Sequence, residues 1–537
     1  MRGDVQPQRA MPGPPRPIAR AASWLGALLA LGGCSVGPKY TRPDVKPGES
    51  WNEQSHPQMA AQTAVDGLWW KEFNDPALDR LVDLAYHQNL PLQIAGLKIV
   101  EARAQLGIAT GQQYPQVQMA FGSVTAVGLS DHAPNTANIA NLDRHYVDYQ
   151  LGFDAAWELD LWGKYRRGVE AADASVLASV ADYYSSVVSL TAEVARTYVV
   201  IRTFEVLIEK AQENARVQRE GLQIAESRFK NGATSELDVS QATTLLATTE
   251  ASIPQLQISL QQARNALSTL LGQPVGSVEA MLEGPKGIPN APAKVAVGLP
   301  AEMLRRRPDI RSAELLAAAQ CARVGVAKAE LYPSFSLVGT IGLESSSAGG
   351  TTPSLVTGNP FFYSVGPRLT WPFLNYGRLK NSVRVEDARF QQLLVSYRNT
   401  VLKAAQEVED ALTGFVNSRD AVALEQRSVT AAQRSVALAI VQYREGAADY
   451  QRVLDAQRSL LEQQNSLAQT SSSVATNMIA LYKALGGGWE LREGQPVVPE
   501  DMQDEMKRRT NWGDMLSQPS GPEASQNATL NPAVKER

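Results

Sequence analysis

A chain of 537 residues with 44% hydrophobic and 20% charged residues is long enough to bury several cores. Its formal net charge of −4 argues against a nucleic-acid partner. Cys34 and Cys321 are its two cysteines, which argues against a disulfide framework, and no run of 18 apolar residues exists to form a helical membrane span.

Residues 1–33 read as an export signal. Arg2, Arg9, Arg16 and Arg20 form a basic region, and Ala21 to Leu31 a short apolar one. It ends in Leu31-Gly32-Gly33-Cys34, the pattern of a lipoprotein cleavage box in which the cysteine becomes the acylated first residue. Ser35 follows, where an aspartate would favour the inner membrane, so the outer membrane is expected. Residues 34–75 then read as an acylated extended segment.

A helical pattern runs from about 76 to 113. Asp75 is placed to cap it, with Pro76 in its first turn. Two alternating segments follow. The first covers about Val117 to Val127. The second places Val147, Tyr149, Leu151, Phe153, Ala155, Trp157 and Leu159 on one face. Its other face carries Asp148, Asp154, Glu158 and Asp160. A very long helix (164–230), a tight turn and a further helix (234–271) complete this unit. The last helix carries Val239, Leu246, Ile253, Leu260 and Leu267 at seven-residue spacing, a coiled-coil signal, with Pro254 as a local conflict.

Residues 273–300 are rich in Pro, Gly and Val and read as a linker. The same order of elements then returns over 301–488. Pro308-Asp309 opens a helix on which Cys321, among alanines, reads as a small buried hydrophobe. Strands are expected at about Phe335 to Leu343 and from Phe361 to Phe373. The latter sets Tyr363, Val365, Leu369 and Trp371 against Ser364, Arg368 and Thr370. A long helix (378–445) and a second heptad series, Val453, Leu460, Leu467, Val474 and Leu481, follow. The repetition is legible residue by residue. Trp157 aligns with Trp371, Gly232 with Gly446 and Gly272 with Gly486 at a displacement of 214; Tyr114-Pro115 aligns with Tyr332-Pro333 at 218. Residues 489–537 turn polar, and the last thirty or so lack periodicity and read as disordered.

Strands of about ten alternating residues have the length of a tilted transmembrane strand. Two hairpins with long polar loops and interfacial tryptophans fit an outer-membrane barrel better than the half-buried sheet of a soluble domain. Four strands cannot close a barrel, and an open edge in lipid leaves backbone groups unsatisfied. Several chains must therefore share one, and three would supply twelve strands. Asp148, Asp154, Glu158, Asp160 and Arg368 would then line the pore. No phosphate-binding loop, metal-protease histidine spacing or nucleophile elbow is present, and nothing points to catalysis or to a cofactor beyond the lipid on Cys34.

Several motifs together resemble the TolC-like outer-membrane efflux channels, in the lipoprotein branch that serves resistance-nodulation-division pumps. They are Val36-Gly-Pro-Lys-Tyr-Thr-Arg-Pro43, Trp69-Trp70 with Phe73 and Asp75-Pro76, Asp160-Leu-Trp-Gly-Lys164, Leu304-Arg-Arg-Arg-Pro-Asp-Ile-Arg311 and Tyr332-Pro-Ser-Phe335. The resemblance implies a mixed α+β membrane protein. A homotrimer would form a twelve-stranded barrel in the outer membrane, continued by a periplasmic helical barrel. It also implies a periplasmic adaptor and an inner-membrane pump as partners, with lipid around the barrel and no enzymatic activity. The helix-pair turns Asn231-Gly232-Ala233 and Glu445-Gly446-Ala447 would be the adaptor-docking tips. Asp455 would narrow the tunnel, with Tyr443 and Arg452 near it as partners; Arg452 stands where some relatives carry a second aspartate. Type I protein secretion and a periplasmic coiled-coil scaffold remain as alternative readings.

Overall fold

The computed structural model describes residues 35–517 apart from 46–47, 49, 53–55, 57–58, 61–66, 135–138, 285, 293–294, 297–305 and 351. Cys34, the signal sequence and residues 518–537 lie outside the described part.

In chain order the principal elements are α1 (Pro76–Gln88), α2 (Leu90–Gly111), β1 (Val117–Gly128), β2 (His145–Leu159), α3 (Lys164–Lys230) and α4 (Glu236–Leu270). The order then repeats with α5 (Pro308–Ala329), β3 (Ser334–Ser346), β4 (Phe361–Thr370), α6 (Arg378–Arg444) and α7 (Tyr450–Ala484). A short α8 (Glu500–Arg509) follows. The helix expected over 76–113 is broken at Asn89, whose side-chain oxygen accepts from Leu92 N at 2.8 Å and restarts it. Asp75 caps α1 as expected, accepting from Ala77 N at 3.0 Å. Helix α4 runs on through Pro254. Helices α3 and α6 have 67 residues each, about 100 Å at 1.5 Å per residue. The short helices of the first repeat, of 13, 22 and 35 residues, together match that length.

The chain divides into two compact units, and each takes pieces of both sequence repeats. The unit formed by residues up to 41, 105–174 and 318–392 holds one antiparallel sheet in the order β1-β2-β3-β4. β2 pairs with β3, which joins the two repeats. The alternation places Tyr149, Leu151, Phe153 and Trp157 on one face with Leu337, Ile341, Tyr363, Val365 and Leu369, by register. Most of these apolar side chains are exposed, a large apolar surface of the kind that meets lipid or a partner. Asp148, Gln150, Asp154 and Glu158 share the other face with Glu344, Thr340, Ser336, Ser364 and Arg368. Two glycines admit aromatic rings onto that polar face. A Cβ at Gly152 would lie 2.8 Å from Phe121, and one at Gly342 would lie 2.9 Å from Phe362. Strand β4 ends at Thr370, so Trp371 lies just beyond it.

The repeat is also written into hydrogen bonds. Trp157 Nε1 donates to Gln113 O at 3.1 Å, and Trp371 Nε1 donates to Leu331 O at 3.2 Å. Within the strands, however, β1 follows β3 at a displacement of 217. The extra residue is Gln116. Its side chain accepts from Glu158 N at 2.7 Å and donates to Glu158 O at 3.3 Å, filling the place of a ladder partner.

The second unit, 42–104, 175–317 and 393–537, is mainly helical where it is described, with one parallel strand pair, Met59–Ala60 with Val295–Ala296. Its core centres on Trp69, stacked on Tyr482 with centroids 5.5 Å apart, and on Tyr198, whose hydroxyl donates to Asp75 at 2.6 Å. Arg202 donates to Tyr198 and to Leu282 O, so the linker after α4 is tied into the same network. Buried Leu246, Leu267, Val453, Leu460 and Leu481 come from the two heptad series. The polar stretch after α7 is ordered further than expected. Val497, Val498 and Leu516 are buried, and a Cβ at Gly96 would strike Val497 O. These few apolar anchors, with the short α8 between them, hold the segment.

Candidate functional site

Three places gather the residues singled out in the sequence: the helix-pair turns, the polar face of the sheet and the N-terminal segment.

At the turns, Gly232 (φ 69°) and Gly446 (φ 78°) take the left-handed conformation that glycine adopts without strain. Ala233 N then bonds Arg228 O at 2.8 Å, and Ala447 N bonds Gln442 O at 2.9 Å, closing both helix ends. Asn231 is exposed and bonds Ser227 O. The two turns are clamped together. Arg228 of α3 donates to Tyr443 O at 2.7 Å and Arg444 O at 3.2 Å at the end of α6, and its guanidinium lies 4.8 Å from the Tyr443 ring centre. A cation at a helix C-terminus is favoured by the helix dipole and satisfies its free carbonyls. Tyr443 is buried against Tyr450, and its hydroxyl donates to Asp238 at 3.2 Å; Thr234 donates to the same carboxylate oxygen. Burial first, and then Asp238, push the Tyr443 hydroxyl above its ordinary range, so it stays a neutral donor.

The residues expected to partner Asp455 in a closed tip have other partners within the chain. Within the chain neither Tyr443 nor Arg452 reaches Asp455. Tyr443 turns to Asp238, and Arg452 pairs with Asp449 at 3.9 Å. Asp455 is exposed and accepts from Gln451 at 2.9 Å. Because α7 begins at Tyr450, Asp455 stands roughly 7 Å along it. Arg228 and Asp238 are the tip residues that reading the sequence missed. The repeat held a signal: Asp238 aligns with Arg452 and Arg228 with Gln442, so these positions break the duplication.

On the sheet, Asp148 accepts from Gln150 at 3.0 Å, Asp154 from Thr340 at 2.6 Å and Glu158 from the Tyr165 hydroxyl at 3.1 Å. Arg368 is exposed on the same face, beside Ser336. Asp160 does not belong there. It lies past the end of β2, accepts from Arg166 N at 2.8 Å and pairs with the Arg166 side chain, so it anchors the start of α3. Glu344 does belong there, opposite Gln150. It was missed because β3 extends to Ser346, beyond the expected end at Leu343.

In the N-terminal segment, Val36 N donates to Trp162 O at 3.0 Å. Ser35 packs on Gly163, where a Cβ would come 2.8 Å from its Oγ, and Gly37 lies against Gly325. Cys321 is buried and lies 3.6 Å from Pro38 O, as a small core residue. Among the described residues no helix is long and apolar enough to cross a membrane, and no group of acidic, His and Cys side chains could hold a metal ion.

An apolar-faced sheet with no further strand beside β1 or β4 among the described residues, on a chain whose helices run to about 100 Å, is the arrangement of a channel subunit. The comparisons agree. The chain belongs to the outer membrane efflux protein family, which it matches over residues 81–273 and 299–487. It is 32% identical to nodulation protein T of Rhizobium leguminosarum bv. trifolii over 86% of this chain and 96% of that protein. It is 30% identical to SilC of Salmonella typhimurium, described as a probable outer membrane lipoprotein, over 87% of this chain and 98% of that one. The solved outer-membrane channel OprN matches with a TM-score of 0.78 and 33% identity, covering 85% of this chain and 100% of that one. The chain is thus a TolC-like outer-membrane efflux channel of the resistance-nodulation-division type, a passive conduit.

Proposed function

We propose that three copies of this chain share one twelve-stranded barrel and continue it as a helical tunnel through the periplasm. A periplasmic adaptor docks at the turns around Gly232 and Gly446 and delivers cargo from an inner-membrane pump. The channel performs no chemistry on its cargo. The observation that carries this reading is the four-stranded sheet, apolar on one face, whose edge strands β1 and β4 pair with no further strand among the described residues. In lipid such edges need strands from other copies. In the same reading the signal at 1–33 is removed and Cys34 is acylated. Ser35, one residue on, already sits at the foot of β2 against Gly163. Asp455 of each copy narrows the tunnel. Its carboxylate has one neutral neighbour in the chain, Gln451, so three of them brought together repel unless a cation or a donor compensates.

Native mass measurement in mild detergent tests the assembly: a trimer is expected, and a stable monomer in lipid overturns it. Fatty-acid labelling tests the anchor. The wild type is expected to label and Cys34→Ser to stay dark; equal labelling rejects Cys34 as the lipid site.

A further inference from the structure

One row across the middle of the sheet departs from its polar face. Gly152 of β2 and Gly342 of β3 are register partners, and they are the buried residues of those two strands. Phe121 of β1 pairs with Gly152, and Phe362 of β4 pairs with Gly342, so the row reads Phe121, Gly152, Gly342, Phe362. A Cβ at Gly152 would meet Cζ and Cε1 of Phe121 within 3.0 Å, and one at Gly342 would meet the same two atoms of Phe362 within 3.0 Å. The far end of each ring therefore reaches over the neighbouring strand. Each ring lies along the sheet rather than standing out from it, with one face on glycine and the other open. Both phenylalanines stay half-buried. Glycine weakens a strand interior, and its use there marks a close approach by another group.

The duplication does not account for this row. Shifting β1 by 217 and β2 by 214 turns the pair Phe121–Gly152 into Val338–Gly366, which has no ring. The reverse shift turns Gly342–Phe362 into Thr125–Asp148. Each repeat thus supplies one ring where the other has none, and the two fall on one row. The nearest charges on that face are acidic. Asp154 and Glu344 stand two residues from Gly152 and Gly342, roughly 7 Å along the strands, while Arg368 stands six residues from Phe362, roughly 20 Å away.

We propose that Phe121 and Phe362 are stacking platforms on the lumen wall that hold aromatic cations in transit. The proposal rests on the shared-barrel reading, which turns this face to the lumen, and adds a site and a ligand chemistry to it. The face of an aromatic ring is electron-rich and attracts a cation, and it stacks on another aromatic ring. The flanking carboxylates add attraction for the same charge. A ring laid against the wall takes little of the bore, so cargo is held from the side and released. Two rings per chain give six in the proposed trimer.

Equilibrium binding to the full-length protein in lipid nanodiscs tests this, with empty nanodiscs as the blank. Ethidium, a planar aromatic cation, is read by fluorescence anisotropy and is expected to bind. Anthracene-2-sulfonate, a planar anion, is expected not to bind, and tetrabutylammonium, an aliphatic cation, to displace ethidium poorly. Phe121→Leu combined with Phe362→Leu keeps apolar cover over both glycines and removes both ring faces. It is expected to weaken ethidium roughly tenfold. Phe121→Tyr combined with Phe362→Tyr is expected to bind as the parent does, and so is Tyr363→Leu, whose side chain is on the opposite face. The platforms are overturned if the double leucine variant, at trimeric native mass, binds ethidium as the parent does, or if Tyr363→Leu weakens it equally. In the parent alone, no ethidium binding, equal binding of the sulfonate or equal displacement by tetrabutylammonium also overturns them and leaves the trimer standing. A native mass that is not a trimer removes the lumen and this site together.

Discussion

Arg228 is the residue on which the tip turns. It satisfies two carbonyls of α6 and covers the ring of Tyr443, linking the two helix pairs of one chain. Hydrogen bonds to a charged group contribute about 1.5–3 kcal/mol. Arg228→Ala is therefore expected to loosen the tip by about 2 kcal/mol and raise channel conductance in planar bilayers, with the proposed trimer intact. Arg228→Lys keeps the charge but not the fork and should fall between. Asp455→Ala should also widen the resting pore and sensitise cells to large antibiotics. Unchanged conductance and sensitivity at normal expression would return Asp455 to an ordinary solvated helix face. Tyr443 sets a pH response. Its folded pKa is raised above 10.0, so the neutral form stabilises the folded tip fully below that pH. That contribution is lost as pH rises through the folded value. Conductance should thus be flat across neutral pH and rise only in strong alkali, and the rise should be absent in Tyr443→Phe.

At the scale of elements, what the sequence revealed depended on periodicity. The long helices, the heptads and the alternation of β2 stand out because ten or more residues repeat one pattern; α3 and α6 fall within a residue of expectation. The break at Asn89 did not stand out, because a side-chain cap in mid-run leaves the apolar period on both sides unchanged. Nor did the end of β2. Asp160 keeps the alternation, but its carboxylate serves the first turn of α3. The clamp at the tip was invisible for another reason: Arg228 and Tyr443 are 215 residues apart, and nothing local in either stretch announces the meeting. The segment after α7 is held by a few anchors, which makes it fragile. Gly96→Leu would drive a side chain into Val497 O, and residues 489–517 should detach, seen as fast amide exchange there while the heptad helices remain protected.

For the whole molecule, the polar face of the sheet would set the character of the lumen in the proposed barrel. Asp148, Asp154, Glu158 and Glu344 outnumber Arg368, and exchanging Asp160 for Glu344 leaves the balance acidic. In the proposed trimer, three copies would give a wall that favours cations. Reversal potentials under a salt gradient should show cation preference, weakening at high salt as screening shortens the field, and weakening further in Glu344→Gln. Anion preference would reject the assignment of faces.

The seating of Ser35 against Gly163 carries a mechanical consequence. One peptide unit spans 3.8 Å, so acyl chains on Cys34 would be mounted beside the foot of β2 and not tethered on a slack leash. If Cys34 is acylated as proposed, such a mount would act as a depth stop, holding the proposed barrel at one height in the bilayer when membrane thickness changes. Lengthening the connection with a flexible insert after Cys34 should leave the channel inserted and acylated. It should then ride higher or lower as lipid chain length varies, where the parent holds its level.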